Sequence, residues 1–235
     1  MAMLFRQLFD RESSTYTYLI ADRASAEALL VDPVLEQVER DLKLLKELGL
    51  TLRYCLETHV HADHITSASQ LREATGCVSV VPAEAEVNCA DRFIHPGETL
   101  QVGLVPVQAI ATPGHTDSHM AYLVNDTHLL TGDALFIRGC GRTDFQSGDA
   151  GTLFDSVTQR LFTLPESTSL YPGHDYRGQT VSSIEEEKRW NPRFVGRNRD
   201  EFIEFMNSLN LPNPQKMMEA VPANERCGNL TSISA

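Results

Sequence analysis

The stretch Thr58-His59-Val60-His61-Ala62-Asp63-His64 decides the reading of this chain. Three imidazoles and a carboxylate fall within six residues, and neutral imidazole and carboxylate are the ligands of zinc, iron and manganese. At a strand end, side chains alternate with period two, so His59 and His61 face the same side. A tight turn then brings Asp63 and His64 round to a second position. The spacing suits one metal, or two metals side by side. The competing reading is a solvated polar loop. Three histidines this close together in a chain with eight weigh against it.

Later segments add to the set. His115 in Thr-Pro-Gly-His, Asp133 in Thr-Gly-Asp and His174 in Tyr-Pro-Gly-His each follow an expected strand. Strand ends are where α/β folds gather ligands, and the adjacent glycines let the backbone come close to a bound group. His119, four residues after His115, reads as a buried supporting histidine. His95 and His128 read as loop or edge residues.

Working outward, Thr15–Ile20 and Ala28–Val31 read as strands, the second stopped at Asp32-Pro33. Leu35, Val38, Leu42, Leu45 and Leu48 recur at helical spacing and Gly49 ends them, which predicts a helix over Val34–Leu48. Thr51–Leu56 is a strand leading into the histidine cluster. A helix over Ile65–Ala74 and a strand over Cys77–Val81 follow, so the first half alternates strand and helix. The second half expects one strand over Leu100–Ala111. Two more, Met120–Val124 and His128–Thr131, flank an Asn125-Asp126 turn. Helices over Gly151–Phe162 and Asp200–Leu209 and a short strand at Leu170-Tyr171 complete the pattern.

Composition bounds the function. The 235 residues are 42% hydrophobic and 22% charged, a globular profile. Asp+Glu outnumber Lys+Arg 32 to 20, a net charge of −12, which disfavours nucleic acid. No apolar run approaches the roughly 20 residues of a membrane span. The first residues lack a secretory pattern, and Asp10 and Glu12 are foreign to a mitochondrial presequence. Cys55, Cys77, Cys89, Cys140 and Cys227 contain no CxxC pair, so reduced thiols in a cytoplasmic compartment are expected.

His59-x-His61-x-Asp63-His64 with His115, Asp133 and His174 resembles the signature of the metallo-β-lactamase superfamily. The resemblance implies an α+β fold, the αβ/βα sandwich of two mixed sheets flanked by helices, over residue 1 to about Tyr176. A single domain spanning 1–235 is expected, with a short helical tail over about 177–235. Gly139-Cys140-Gly141-Arg142 and His174-x-Tyr176 resemble two branches, glyoxalase II and the persulfide dioxygenases. Thr143-Asp144-Phe145-Gln146, Glu186-Glu187-Lys188, Asn191-Pro192-Arg193, Leu209-Asn210-Leu211-Pro212-x-Pro214, Val221-Pro222-Ala223-Asn224 and Cys227-Gly228 are similar to the second branch. The chain is also expected to lack the full helical domain with which glyoxalase II holds glutathione.

The dioxygenase resemblance implies one Fe(II) per chain, bound by His59, His115 and Asp133. His61, Asp63, His64 and His174 would then line a vacant second site as a polar network. It further implies glutathione persulfide and O2 as substrates, sulfite and glutathione as products, and a homodimer without nucleic-acid or membrane partners. Arg142 and Tyr176 match glutathione-pocket positions, with Arg193 as a further candidate; a guanidinium can grip a carboxylate with two hydrogen bonds. The alternative for Arg142 is to pin its own glycine-rich loop. Cys140 reads as a small filler in that loop. The alternative enzyme is a dinuclear hydroxyacylglutathione thiolester hydrolase. A metal-stabilised binding protein without turnover is disfavoured by the complete ligand set.

Overall fold

A computed structural model describes residues 3–212, 214 and 216–229; the last residues of the expected tail, 230–235, lie outside that range. The chain forms two compact units. Of the described residues, the first holds 3–94, 101–105 and those from 214 onward; the second holds 95–100 and 106–212.

The first unit is built on a six-stranded sheet in sequential order: β1 (Met3–Phe9), β2 (Tyr16–Asp22), β3 (Glu27–Val31), β4 (Thr51–Leu56), β5 (Val78–Pro82) and β6 (Arg92–Ile94). The first three strands pair antiparallel and β3 to β6 pair parallel. Parallel neighbours need crossover connections, and two of these carry helices α1 (Val38–Glu47) and α2 (Ala68–Thr75). The expected helix from Val34 starts as a single tight turn at Leu35–Gln37 before α1. The expected second helix begins three residues late, because Ile65 and Thr66 belong to the loop below the histidines. It stops at Gly76, whose φ of +72° is the left-handed C-cap that glycine favours. Leu4, Leu19, Leu30, Leu45, Leu52 and Leu71 meet in one apolar core. Burying each stabilises by roughly 1.5–3 kcal/mol.

The second sheet has the order β12-β11-β10-β9-β8-β7. Its strands are β7 (Thr99–Val102), β8 (Val105–Ala111), β9 (Met120–Val124), β10 (His128–Gly132), β11 (Ser169–Pro172) and β12 (Ser182–Ser183). The one strand expected over Leu100–Ala111 is two. The chain reverses at Gly103, where φ is +57° and a Cβ would lie 2.3 Å from Asp22 Oδ2. β9 and β10 are joined by Asn125, Asp126 and Thr127; Asn125 and Asp126 are both at positive φ, and the Thr127 N–H donates to the Val124 carbonyl at 3.1 Å. β10 and β11 pair parallel, so this sheet is mixed as well.

Three helices belong to the second unit: α3 (Ala150–Ser156), α4 (Ile184–Trp190) and α5 (Arg199–Asn207). α3 starts on Asp149, whose carboxylate accepts from the Thr152 N–H, and runs on as a wider π-helical turn over Val157–Leu161. α5 starts on a capping box between Asn198 and Glu201. Leu123, Leu153, Leu161, Phe194, Phe202 and Met206 form its core. α6 (Met217–Asn224) returns to the first unit.

The expectation of reduced thiols fails too. The five cysteines are not all reduced: Cys89 and Cys227 form a disulfide across a separation of 138 residues, leaving Cys55, Cys77 and Cys140 as free thiols. No local spacing announces such a bond. A small apolar cluster of Val81, Val87, Val60, Ala85 and Ala90 gathers the two sulfurs.

Candidate metal centre

Every candidate residue lies just beyond the carboxyl end of a strand. Asp32 follows β3, the segment Glu57 to His64 follows β4, His115 follows β8 by four residues, Asp133 follows β10 and His174 lies two residues past β11.

In the first unit, hydrogen bonds decide which nitrogen each imidazole presents. The buried Asp32 carboxylate accepts from the Thr58 N–H at 2.7 Å and from the Thr58 hydroxyl at 2.9 Å. With its single proton given to Asp32, the Thr58 hydroxyl accepts from His59 Nδ1–H at 2.8 Å. His59 therefore turns an Nε2 lone pair outward. His61 is held the other way round. Its Nε2 lies 3.1 Å from Asp32 Oδ1 and 3.3 Å from Glu57 Oε2, and its buried Nδ1 has no hydrogen-bond partner. Burial opposes charge on His61, but the Asp32 and Glu57 carboxylates outweigh it and hold the pKa well above the ordinary range. A carboxylate behind one ring nitrogen is the usual support of a metal-binding histidine, and it makes the other nitrogen more basic. His64 Nδ1 lies 2.9 Å from Asp63 Oδ2, and its buried Nε2 likewise has no hydrogen-bond partner. Buried polar atoms without partners are costly. A polar group or cation bound beside them would satisfy both.

In the second unit, His115 Nδ1–H donates to the Arg142 carbonyl at 2.8 Å, so Nε2 carries the lone pair. That nitrogen faces Asp133 Oδ2 at 3.6 Å. Two electron-rich atoms face each other there, an arrangement that a cation between them stabilises. Asp133 is held from two further sides. His174 Nδ1 lies 2.7 Å from its Oδ1, and its backbone N–H donates to His119 Nε2 at 3.0 Å. His119 Nδ1–H in turn donates to the Thr112 hydroxyl at 2.8 Å, which places His119 in the supporting role its sequence position suggests. Glycine is required beside these groups: a Cβ on Gly173 would lie 2.6 Å from Asp133 Oδ1, and one on Gly141 would lie 2.3 Å from the Asp133 carbonyl oxygen.

The expected substrate residues are placed as follows. Arg142 makes a two-pronged ion pair with Asp144 at 2.6 and 2.7 Å, donates to the Pro212 carbonyl at 2.7 Å, and lies over the Phe145 ring. Three of its five N–H donors thus serve its own chain. Tyr176 is 73% exposed and its ring stacks on His174. Arg193 lies over the Phe205 ring. Burial pushes the Cys140 thiol up to about 12, which makes it an inert filler. Of the eight histidines, His95 sits in the loop after β6 and His128 opens β10.

Asp32, Glu57, Thr58 and Asn224 support the site and were not singled out as site residues from the sequence. Asp32 carried a signal: a carboxylate at a strand end before proline, here at a φ of +49°. Asn224 stood only within a recognised tail motif.

Residues 10–174 match the Metallo-beta-lactamase superfamily. The chain belongs to that superfamily. Among superfamily members, the bovine (Bos taurus) protein named persulfide dioxygenase ETHE1, mitochondrial, is 50% identical over 234 residues, 99% of this chain and 91% of the relative. The human (Homo sapiens) protein of the same name is 50% identical over 228 residues, 96% of this chain and 89% of the relative. The crystal structure of ETHE1 from Myxococcus xanthus is 55% identical and superposes with a TM-score of 0.94, covering 96% of this chain and 100% of that one. The two mixed sheets with flanking helices are therefore the metallo-β-lactamase fold, and its His and Asp residues form a metal-binding site. No described helix is long and apolar enough to cross a membrane.

Proposed function

We propose that this chain is a persulfide dioxygenase that oxidises glutathione persulfide with O2 to sulfite and glutathione. The observation that carries the reading is the 50% identity to persulfide dioxygenases over 99% of the chain. We further propose that one Fe(II) is held by His59, His115 and Asp133, with His61, Asp63, His64 and His174 as a polar network beside it. Two histidines and one carboxylate suit Fe(II), which would supply open positions where a soft persulfide sulfur and O2 meet.

The chain's own residues do the rest. Thr58 and the Arg142 carbonyl each hold an imidazole N–H, so that His59 and His115 present lone pairs. His174 and His119 hold Asp133 from opposite ends. No strong general base is needed, because a persulfide is already anionic near neutral pH. Arg142, Tyr176 and Arg193 are the proposed contacts for the glutathione carboxylates. Two guanidinium N–H groups of Arg142 remain for that purpose after its bonds to Asp144 and Pro212. The resemblance supports a homodimer; the three free thiols support a cytoplasmic setting, and the Cys89–Cys227 disulfide weighs against a reducing one.

The test combines metal analysis of the purified protein with O2 uptake on glutathione persulfide. About one iron per chain with O2 consumption is expected. Two metals per chain, S-lactoylglutathione hydrolysis and no O2 uptake would replace this reading by the thiolester hydrolase.

A further inference from the structure

We propose that Asn224, at the end of α6, is the positioning residue of the histidine loop, and that the Cys89–Cys227 disulfide fastens it there. The proposal rests on the reading that the loop borders a bound metal.

Asn224 is buried, and its carboxamide spends every bond on one short piece of main chain. Oδ1 accepts from the Thr66 N–H at 2.8 Å. Nδ2 donates to the His61 carbonyl at 2.9 Å and to the His64 carbonyl at 2.8 Å. These are the peptide units of two of the histidines whose outward nitrogens have no hydrogen-bond partner. The stretch from Val60 to Ile65 belongs to no helix or strand, so its carbonyls cannot be satisfied by a ladder. One acceptor and two donors in a fixed plane meet that need. An aspartate in the same shape keeps the acceptor and loses both donors.

The tail around Asn224 is tied down on all sides of the loop. Ala220 and Ala223 pack on Ile65, directly under it. The Cys227 carbonyl accepts from the Ser69 N–H at the start of α2. Gly228 passes so close to Thr66 that a Cβ would lie 2.0 Å from its carbonyl oxygen. Thr66 is gripped from its other end, its hydroxyl donating to Glu57 Oε1 at 2.5 Å, and Glu57 also faces His61. The disulfide then joins Cys227 to Cys89 in the connection between β5 and β6. A shift of α6 is thus transmitted to the rings of His61 and His64 through two hydrogen bonds, with one covalent bond opposing it.

Two variants test this: Asn224→Asp, which deletes the donors, and Cys89→Ser, which removes the fastening and leaves Asn224 in place. Three quantities are read: the rate at which a chelator strips iron, the visible spectrum of the Co(II)-loaded protein, and the melting temperature of the metal-free protein. For Asn224→Asp, iron loss at least tenfold faster and a shifted Co(II) spectrum are expected in a protein that still folds. Cys89→Ser is expected to lose iron several-fold faster. Wild-type iron retention and an unshifted spectrum in folded Asn224→Asp overturn the proposal. Should that variant not fold, Cys89→Ser decides by the same criteria. A wild-type chain that consumes no O2 yet binds metal through Asn224-dependent geometry removes the dioxygenase reading alone. One that binds neither iron nor cobalt removes both.

Discussion

At the scale of single residues, the site depends on which atoms hold each imidazole. The His115 Nδ1 acceptor is the main-chain carbonyl of Arg142, while the Arg142 side chain serves Asp144, Phe145 and Pro212. Arg142→Ala should therefore keep iron, since the carbonyl remains. It should cost about 1–2 kcal/mol of stability from the lost ion pair and cation–π contact and raise KM for glutathione persulfide; urea unfolding and steady-state kinetics check the two parts. His115→Ala should behave oppositely, losing iron and activity together while the metal-free protein stays folded. Iron analysis at wild-type level in that variant would remove His115 from the ligands. The close spacing of His59, His61 and His64 made the histidine cluster stand out in the sequence, while the choice of His59, His115 and Asp133 as ligands rests on the family resemblance. Asp32, Glu57, Thr58 and Asn224 did not stand out, because each is a solitary polar residue whose partner arrives only on folding.

At the scale of elements, helices with a clear apolar stripe were foreseen to within a few residues, as with α1 and α5. The missed elements include β1 and α4, of seven residues each, and others that are short or carry a contradictory residue. β6 and β12 hold three and two residues, and α6 contains Pro222. The π-helical turn after α3 keeps the apolar residues expected of an α-helix and so leaves no mark on the pattern. Asp149 caps α3, and bonds from the Thr152 hydroxyl and N–H hold its carboxyl below the usual range. Asp149→Ala should cost about 1 kcal/mol at neutral pH. Because the folded pKa is the lower one, the charged cap's contribution is complete above the unfolded value of about 3.9 and fades as pH falls through the folded one. The gap between variant and wild type should narrow accordingly in unfolding measured from pH 7 down to the acid limb. α4 is tied to its unit by Glu187, which is fully buried against Arg138, Ser182 and Asn191. Arg138→Ala removes the counter-charge of that buried carboxylate, leaving it the Ser182, Asn191 and main-chain bonds, and should destabilise by about 3 kcal/mol, read as a fall in the urea midpoint.

At the scale of the whole molecule, the fold class was readable because the alternation of strands and helices agrees with the resemblance carried by the ligand motifs; the strand order was not read from the sequence. The disulfide was not readable, since it joins positions 138 residues apart. A cross-link across so long a loop restricts the unfolded chain, so reduction should lower stability by about 2–5 kcal/mol. A non-thiol reductant should shift the melting temperature of wild type and leave Cys89→Ser unmoved.

The sheets also differ in how their margins are closed. β6 and β12 end their sheets with three and two residues, too few to template a new strand, whereas β1 presents seven residues on the margin of the first sheet. A neighbour adding by backbone pairing has its longest purchase there, and the exposed Arg6 in the middle of β1 stands as the charge that deters it. Replacing Arg6 by an apolar residue is therefore expected to speed aggregation at high concentration, an effect far in sequence from any histidine.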